Sequence, residues 1–127
     1  MSHLKLNRTK KMKKNKSKYA VIYVRQKAAE APDVSKEIAE RERACRQYAK
    51  QQGFQVLGIF RDVYDDEIEL GRTGLEFMLD FISDEGPHAV IVHEEDSLPE
   101  NFREYGYASD VLHTLGVKLL CVSAEGA

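Results

Sequence analysis

The sequence contains no tryptophan, only three prolines and only two cysteines in 127 residues. Two cysteines cannot make a disulfide framework. Cys45 sits in a helical pattern and Cys121 in an apolar run, which reads as two buried thiols in a reducing, cytoplasmic setting. No apolar stretch approaches the eighteen residues that a membrane-spanning helix needs. The basic N-terminus is not followed by an apolar segment, so it does not read as a secretory signal. Acid is missing from residues 1–18, where Lys5, Arg8, Lys10, Lys11, Lys13, Lys14, Lys16 and Lys18 stand alone. These eight leave eleven basic against 21 acidic residues in the remainder, a body of net charge −10.

This division sets the domain organisation. Residues 1–18 have too much like charge and too little apolar content to fold alone, and read as a disordered basic tail. Such a tail is suited to phosphate contacts that weaken with salt, with Lys10, Lys11, Lys13, Lys14, Lys16 and Lys18 as its nucleic-acid-binding residues. Residues 19–127 are of a size for one domain with its own core.

Four short runs, YAVIYV (19–24), FQVLGIF (54–60), HAVIVH (88–93) and VKLLCV (117–122), are apolar without polar alternation. That pattern suits parallel strands covered on both faces. Between them lie helical patterns. In residues 36–52, Ile38, Cys45, Tyr48 and Ala49 line one side, with Gly53 placed to end the helix. In the next, Leu75, Met78, Leu79 and Ile82 fall at helical spacing, and Thr73 with Glu76 three residues on forms a capping-box signature. A third helix follows Pro99 and runs to about Leu115, with Gly116 as its stop. Its apolar side would use Phe102, Tyr105, Ala108, Leu112 and Leu115. Strand–helix alternation repeated three times specifies an α/β fold, a three-layer, doubly wound, mainly parallel four-stranded sheet. Ligands of such sheets bind beyond the carboxyl ends of the strands. That rule selects Arg25-Gln26-Lys27, the segment from Asp62 to Arg72, and the segment from Glu94 to Asn101.

The order Tyr23-x-Arg25, then Asp62 followed ten residues later by Arg72-x-Gly74-Leu75, then Val92-(x)₃-Asp96-x-Leu98 resembles the catalytic domain of serine recombinases of the resolvase/invertase type. The resemblance covers roughly residues 19–125. It implies a resolvase-like fold and a site in which a serine attacks a DNA phosphodiester while arginines hold the phosphate. Position by position it places Arg25, Asp62, Arg72 and Asp96 at family site positions. Lys27 occupies the place of the nucleophilic serine, and Ser97 and Glu100 occupy those of two phosphate-holding arginines. Members of the family continue into a long helix and a DNA-reading domain, whereas these 127 residues close on VSAEGA.

A lysine amine, with a reference pKa of about 10.4, is mostly protonated at neutral pH and is then a poor nucleophile. Removing one preorganised charge-stabilising donor typically costs ~10²–10³ in rate, and here two are replaced together with the nucleophile. The expectation is therefore a domain without intact catalytic residues, regulatory or architectural, associated with DNA or with a recombinase or other protein partner. Two alternatives stay open. One is a protein-interaction module with no nucleic-acid role. The other is a metal-assisted enzyme using the acids Asp65, Asp66, Glu67 and Glu69 with Glu94, Glu95 and Asp96. No residue spacing calls for a resident metal or cofactor, and a membrane partner is not expected. A phosphoacceptor receiver domain shares the sheet type but needs paired acids where Arg25-Gln26-Lys27 stands.

Overall fold

The computed structural model describes residues 17–28, 33–64, 73–94 and 107–123 of the chain. Strand β1 (Lys18–Lys27) leads into helix α1 (Val34–Gln51) and strand β2 (Phe54–Tyr64). Helix α2 (Gly74–Glu85), strand β3 (Ala89–Val92), helix α3 (Tyr107–Thr114) and strand β4 (Lys118–Cys121) follow. The strands form one sheet in the order β2-β1-β3-β4, and every pairing is parallel. The chain therefore runs outward from β1 to β2, returns past β1 to β3, and continues to β4. The direction of winding reverses between β1 and β3, which makes their carboxyl ends the ligand-binding crevice of the fold.

The apolar runs explain this arrangement. Ala20 to Val24 are fully buried, as are Ala89 to Val92, so the two central strands carry apolar side chains on both faces. Alternation along β1 divides them between two cores. Ala20, Ile22 and Val24 pack with Ile38, Cys45, Tyr48 and Ala49 of α1. Val21 and Tyr23 pack with Leu75, Met78 and Ile82 of α2 and Leu112 of α3. One helix thus covers one face and two cover the other, giving three layers.

The outer strands depart from the expectation of full burial on both faces. β2 is an edge strand of only partly buried and exposed residues, and Val63 is 52% exposed. Its pairing to β1 slips where Val56 and Gly58 oppose Ala20 and Val21, leaving Leu57 as an extra residue. A bulge of this kind twists an edge strand and makes it a poorer template for further pairing. Leu115, expected on the apolar side of the third helix, is instead 38% exposed because α3 ends at Thr114. The start of that helix near Pro99, with Phe102 and Tyr105, lies outside the described residues. Lys18, assigned to the tail from its charge, is the first residue of β1, and its ammonium lies 4.7 Å from the centre of the Phe54 ring. A cation over an aromatic face gains about 0.5–1 kcal/mol at an exposed site, which favours the strand over continued tail. Among the described residues no helix is long and apolar enough to cross a membrane.

Cys45 lies fully buried in the α1 core. Burial pushes its thiol up to about 12, with the nearby Arg41 charge opposing the shift. The unfolded chain releases this proton from about pH 9, whereas the folded chain keeps it. This contribution to stability is therefore whole below pH 9 and is lost progressively as pH rises towards 12. Its slope cannot exceed about 1.4 kcal/mol per pH unit. Urea midpoints measured from pH 8 to 11 should fall, and fall less in Cys45→Ala. Equal falls in both proteins would remove the thiol as the cause.

Candidate functional site at the carboxyl ends of β1 and β2

Arg25, Gln26 and Lys27 belong to β1 itself, where they pair in register with Asp62, Val63 and Tyr64 of β2. Both strands thus continue through residues that the apolar runs alone placed beyond them. Their cross-strand hydrogen bonds carry polar residues out to the end of the sheet. Alternation puts Arg25 and Lys27 on the same face as Tyr23, the face covered by α2 and α3. Gln26 turns to the opposite face and is only 6% exposed. Its Nε2 donates to the Lys27 carbonyl at 3.0 Å, while its buried Oε1 has no hydrogen-bond partner among the described residues.

Asp62 is the hub of the site. Its Oδ2 accepts a 2.6 Å hydrogen bond from the Tyr23 hydroxyl and a 3.0 Å bond from the Leu75 amide. Its Oδ1 accepts a 2.7 Å bond from the Gly74 amide. Thr73 completes the cap, accepting from the Glu76 amide at 3.2 Å through Oγ1 and from the Phe77 amide at 3.1 Å through its carbonyl. In return Glu76 Oε1 accepts from the Thr73 amide at 3.1 Å. All four amides at the start of α2 that lack a partner inside the helix are accounted for, those of Gly74 and Leu75 by Asp62, that of Glu76 by Thr73 and that of Thr73 by Glu76. The capping box is as the Thr73–Glu76 spacing predicts. The two amides on Asp62 could not be read from the sequence, since donor and acceptor lie 12 and 13 residues apart.

The hydroxyl of Tyr23 links this cap to the cation of β1. It lies 3.5 Å from Arg25 Nη1, so it can accept from the guanidinium while donating to Asp62. Burial holds the Tyr23 phenol well above its usual range. The hydrogen bond given to Asp62 adds to the shift and the Arg25 charge opposes it. Tyr23 is therefore a neutral donor throughout the physiological range. The Asp62 carboxylate thus accepts three hydrogen bonds on its two oxygens. As placed, it ties β1, β2 and α2 together.

On the α1 side of the crevice, Arg41 Nη1 lies 3.5 Å from His93 Nδ1, and the same nitrogen of His93 lies 3.5 Å from Glu94 Oε1. Arg41 Nε is 3.7 Å from Glu37 Oε1. His93, which directly follows β3, thus sits in a chain of contacts with Arg41 and Glu94. Arg61 Nε and Nη2 reach Glu42 Oε1 at 2.8 and 2.7 Å, tying β2 to α1. That pair is partly exposed, and contributes little to stability. Arg41 was not legible as a site residue, and although Gln26 falls in the selected strand-end segment and Tyr23 in the family motif, the contacts of neither could be read. Their apolar or helical context gives no signal until the strand order is known.

Four family-equivalent positions, Arg72, Asp96, Ser97 and Glu100, lie outside the described residues, as do Lys10, Lys11, Lys13, Lys14 and Lys16. The acidic segment from Asp65 to Glu69 and the acids Glu95 and Asp96 also lie outside them. Among the described residues no group of three His, Cys, Asp or Glu side chains is arranged to hold a metal. The site as described brings together Arg25, Asp62 and Tyr23, with Lys27 two residues beyond Arg25 on the same face.

Gly74 allows the contact on which the cap rests. A Cβ on it would clash with the Arg61 carbonyl oxygen, a backbone atom that cannot swing away. Gly74→Ala should therefore push α2 away from Asp62 and destabilise the protein by about 1–3 kcal/mol, as overpacking does. Chemical denaturation reads this directly, and a change below ~0.5 kcal/mol would show that the helix start can shift freely.

The sequence matches the family model described as the resolvase N-terminal domain over residues 20–127. No curated protein matches it. Among solved structures, the chain is similar to the C-terminal catalytic domain of ISC1926 TnpA, an IS607-like serine recombinase. The identity is 20% and the TM-score 0.65, over 82% of this chain and 69% of that one. It is similar to the N-terminal catalytic domain of TP901-1 integrase at 21% identity and a TM-score of 0.68, over 84% and 78%. A resolvase family site-specific recombinase from Streptococcus pneumoniae gives 17% identity and a TM-score of 0.67, over 85% and 74%. Those likenesses establish the fold, and the match over residues 20–127 establishes that the chain belongs to the resolvase N-terminal domain family.

Proposed function

We propose that this chain is a resolvase-type domain that no longer carries out strand transfer. It serves as a regulatory or architectural module at DNA or beside a DNA-recombination partner. The observation that carries this reading is Lys27. It stands two residues after Arg25, where the resemblance to serine recombinases calls for the nucleophilic serine. At that position a protonated amine could hold a phosphate but would not attack it. The engagement of Asp62 by Tyr23 and by the start of α2 supports the same reading, because this acid serves the scaffold. Ser97 and Glu100, in place of two arginines, would further weaken the hold on a phosphodiester.

In this reading the basic N-terminal segment makes the contact with DNA. The body, at net −10, repels a polyanion. The same charge favours a second reading, a protein-interaction module with no nucleic-acid role, if the tail does not contact DNA. Two measurements on the full chain test the proposal. Incubated with supercoiled DNA, the protein should give no detergent-resistant protein–DNA adduct. An adduct abolished in Lys27→Ala would overturn the loss of chemistry. DNA binding should be salt-sensitive, and replacing Lys10, Lys11, Lys13, Lys14 and Lys16 with Gln should flatten the log–log salt dependence by up to about 4 to 5. No binding at low salt would leave the interaction module as the reading.

A further inference from the structure

The amino ends of the four parallel strands meet at the end of the sheet opposite Arg25 and Asp62. A cavity of about 410 Å³ opens there on the α1 face. Tyr48, Phe54 and Leu120 supply its apolar floor, and Lys18, Lys118 and His88 stand around it. The volume falls in the range of small-molecule sites, roughly 300–1,000 Å³. No carboxylate is among the described residues that line it, although the body as a whole carries net −10.

Its charge can be weighed. Gln52 and Gly116, which follow the carboxyl ends of α1 and α3, also line the cavity, so two helix ends point towards it. Each contributes about half a negative charge. Two lysine ammonium groups outweigh this sum and leave close to one net positive charge. Lys18 is held near the floor by its contact with the Phe54 ring at 4.7 Å, which places the charge without neutralising it.

His88 is fixed as well. Its Nδ1 accepts from the Tyr19 amide at 2.9 Å, its own amide donates to the Tyr19 carbonyl at 2.7 Å, and its ring stacks on Tyr19 at 6.1 Å. With Nδ1 occupied as an acceptor, the ring proton is on Nε2, which is left as a donor.

We propose that this groove binds a small planar aromatic monoanion. Its ring would lie on the Tyr48–Phe54–Leu120 floor and its carboxylate or phosphodiester between Lys18 and Lys118. An apolar surface alone would accept a neutral ring, and lysines alone would accept any anion. The combination selects a ligand carrying both. The site is separate from the carboxyl-end crevice and does not depend on whether that crevice retains chemistry.

The test is an amide-resolved NMR titration of the full chain with 2-naphthoate. Saturable shifts at Lys18, Phe54, His88 and Lys118, with a Kd on the order of 1 mM or tighter, are expected. The neutral isostere 2-naphthamide should bind at least ~10-fold more weakly, and acetate should give no saturable shift. Lys118→Glu, an exposed change at the start of an edge strand, should also weaken naphthoate by ~10-fold or more, with the remaining spectrum unchanged. A parallel titration with adenosine 3′,5′-cyclic monophosphate assigns the head group. Saturation by either ligand upholds the site, and the tighter one names the head. Equal binding of naphthoate and naphthamide, shifts confined to residues outside the groove, or undiminished affinity in Lys118→Glu would each overturn the proposal.

Discussion

One carboxylate, that of Asp62, joins three elements of the fold. It leaves β2, accepts the Tyr23 hydroxyl of β1, and takes the first two amides of α2. A charge-assisted hydrogen bond contributes more than a neutral one, and a carboxylate at a helix start also gains from the helix dipole. The contact works only because Gly74 lets the helix backbone approach Arg61 without a Cβ in the way. Above it, Met78 and Ile82 of α2 reach Val21 and Tyr23 at the angle that this junction sets.

The same junction shapes the candidate site. By occupying the Tyr23 hydroxyl, Asp62 fixes the group against which Arg25 rests at 3.5 Å. The cation at the strand end is therefore positioned by a buried phenol, not left to move in solvent. Lys27 extends the strand on the same face. The proposed loss of strand transfer thus concerns which side chains occupy the site, and leaves the family scaffold beneath them intact.

Much of this was legible in the sequence, for physical reasons. Four apolar runs without alternation specify four parallel strands, of which the two central ones are buried on both faces, and the spacing of Leu75, Met78, Leu79 and Ile82 specifies the inner side of α2, where all but the partly buried Leu79 are buried. Ile38, Cys45, Tyr48 and Ala49 are the buried positions of α1, as their spacing predicts. The strand ends were less legible. Hydrophobicity stops at Val24 and Phe60, whereas backbone pairing continues to Lys27 and Tyr64, because a polar residue can hold a ladder as well as an apolar one. Leu115 misled for the converse reason, being apolar at helical spacing but beyond the last turn. At the site, the resemblance places Arg25 and Asp62 at family positions, and the structure places the Tyr23 hydroxyl in contact with both. A tyrosine inside a buried strand gives no sign in sequence of where its hydroxyl will find a partner.

The central claim is that the Tyr23–Asp62 bond couples β1 to β2 and α2, and a double-mutant cycle measures it most directly. Urea unfolding of the wild type, Tyr23→Phe, Asp62→Asn and the double variant gives the coupling energy free of the separate costs of each change. A bond from a buried phenol to a carboxylate should give a coupling of about 1–3 kcal/mol. Additivity of the two substitutions within about 0.3 kcal/mol would contradict the account.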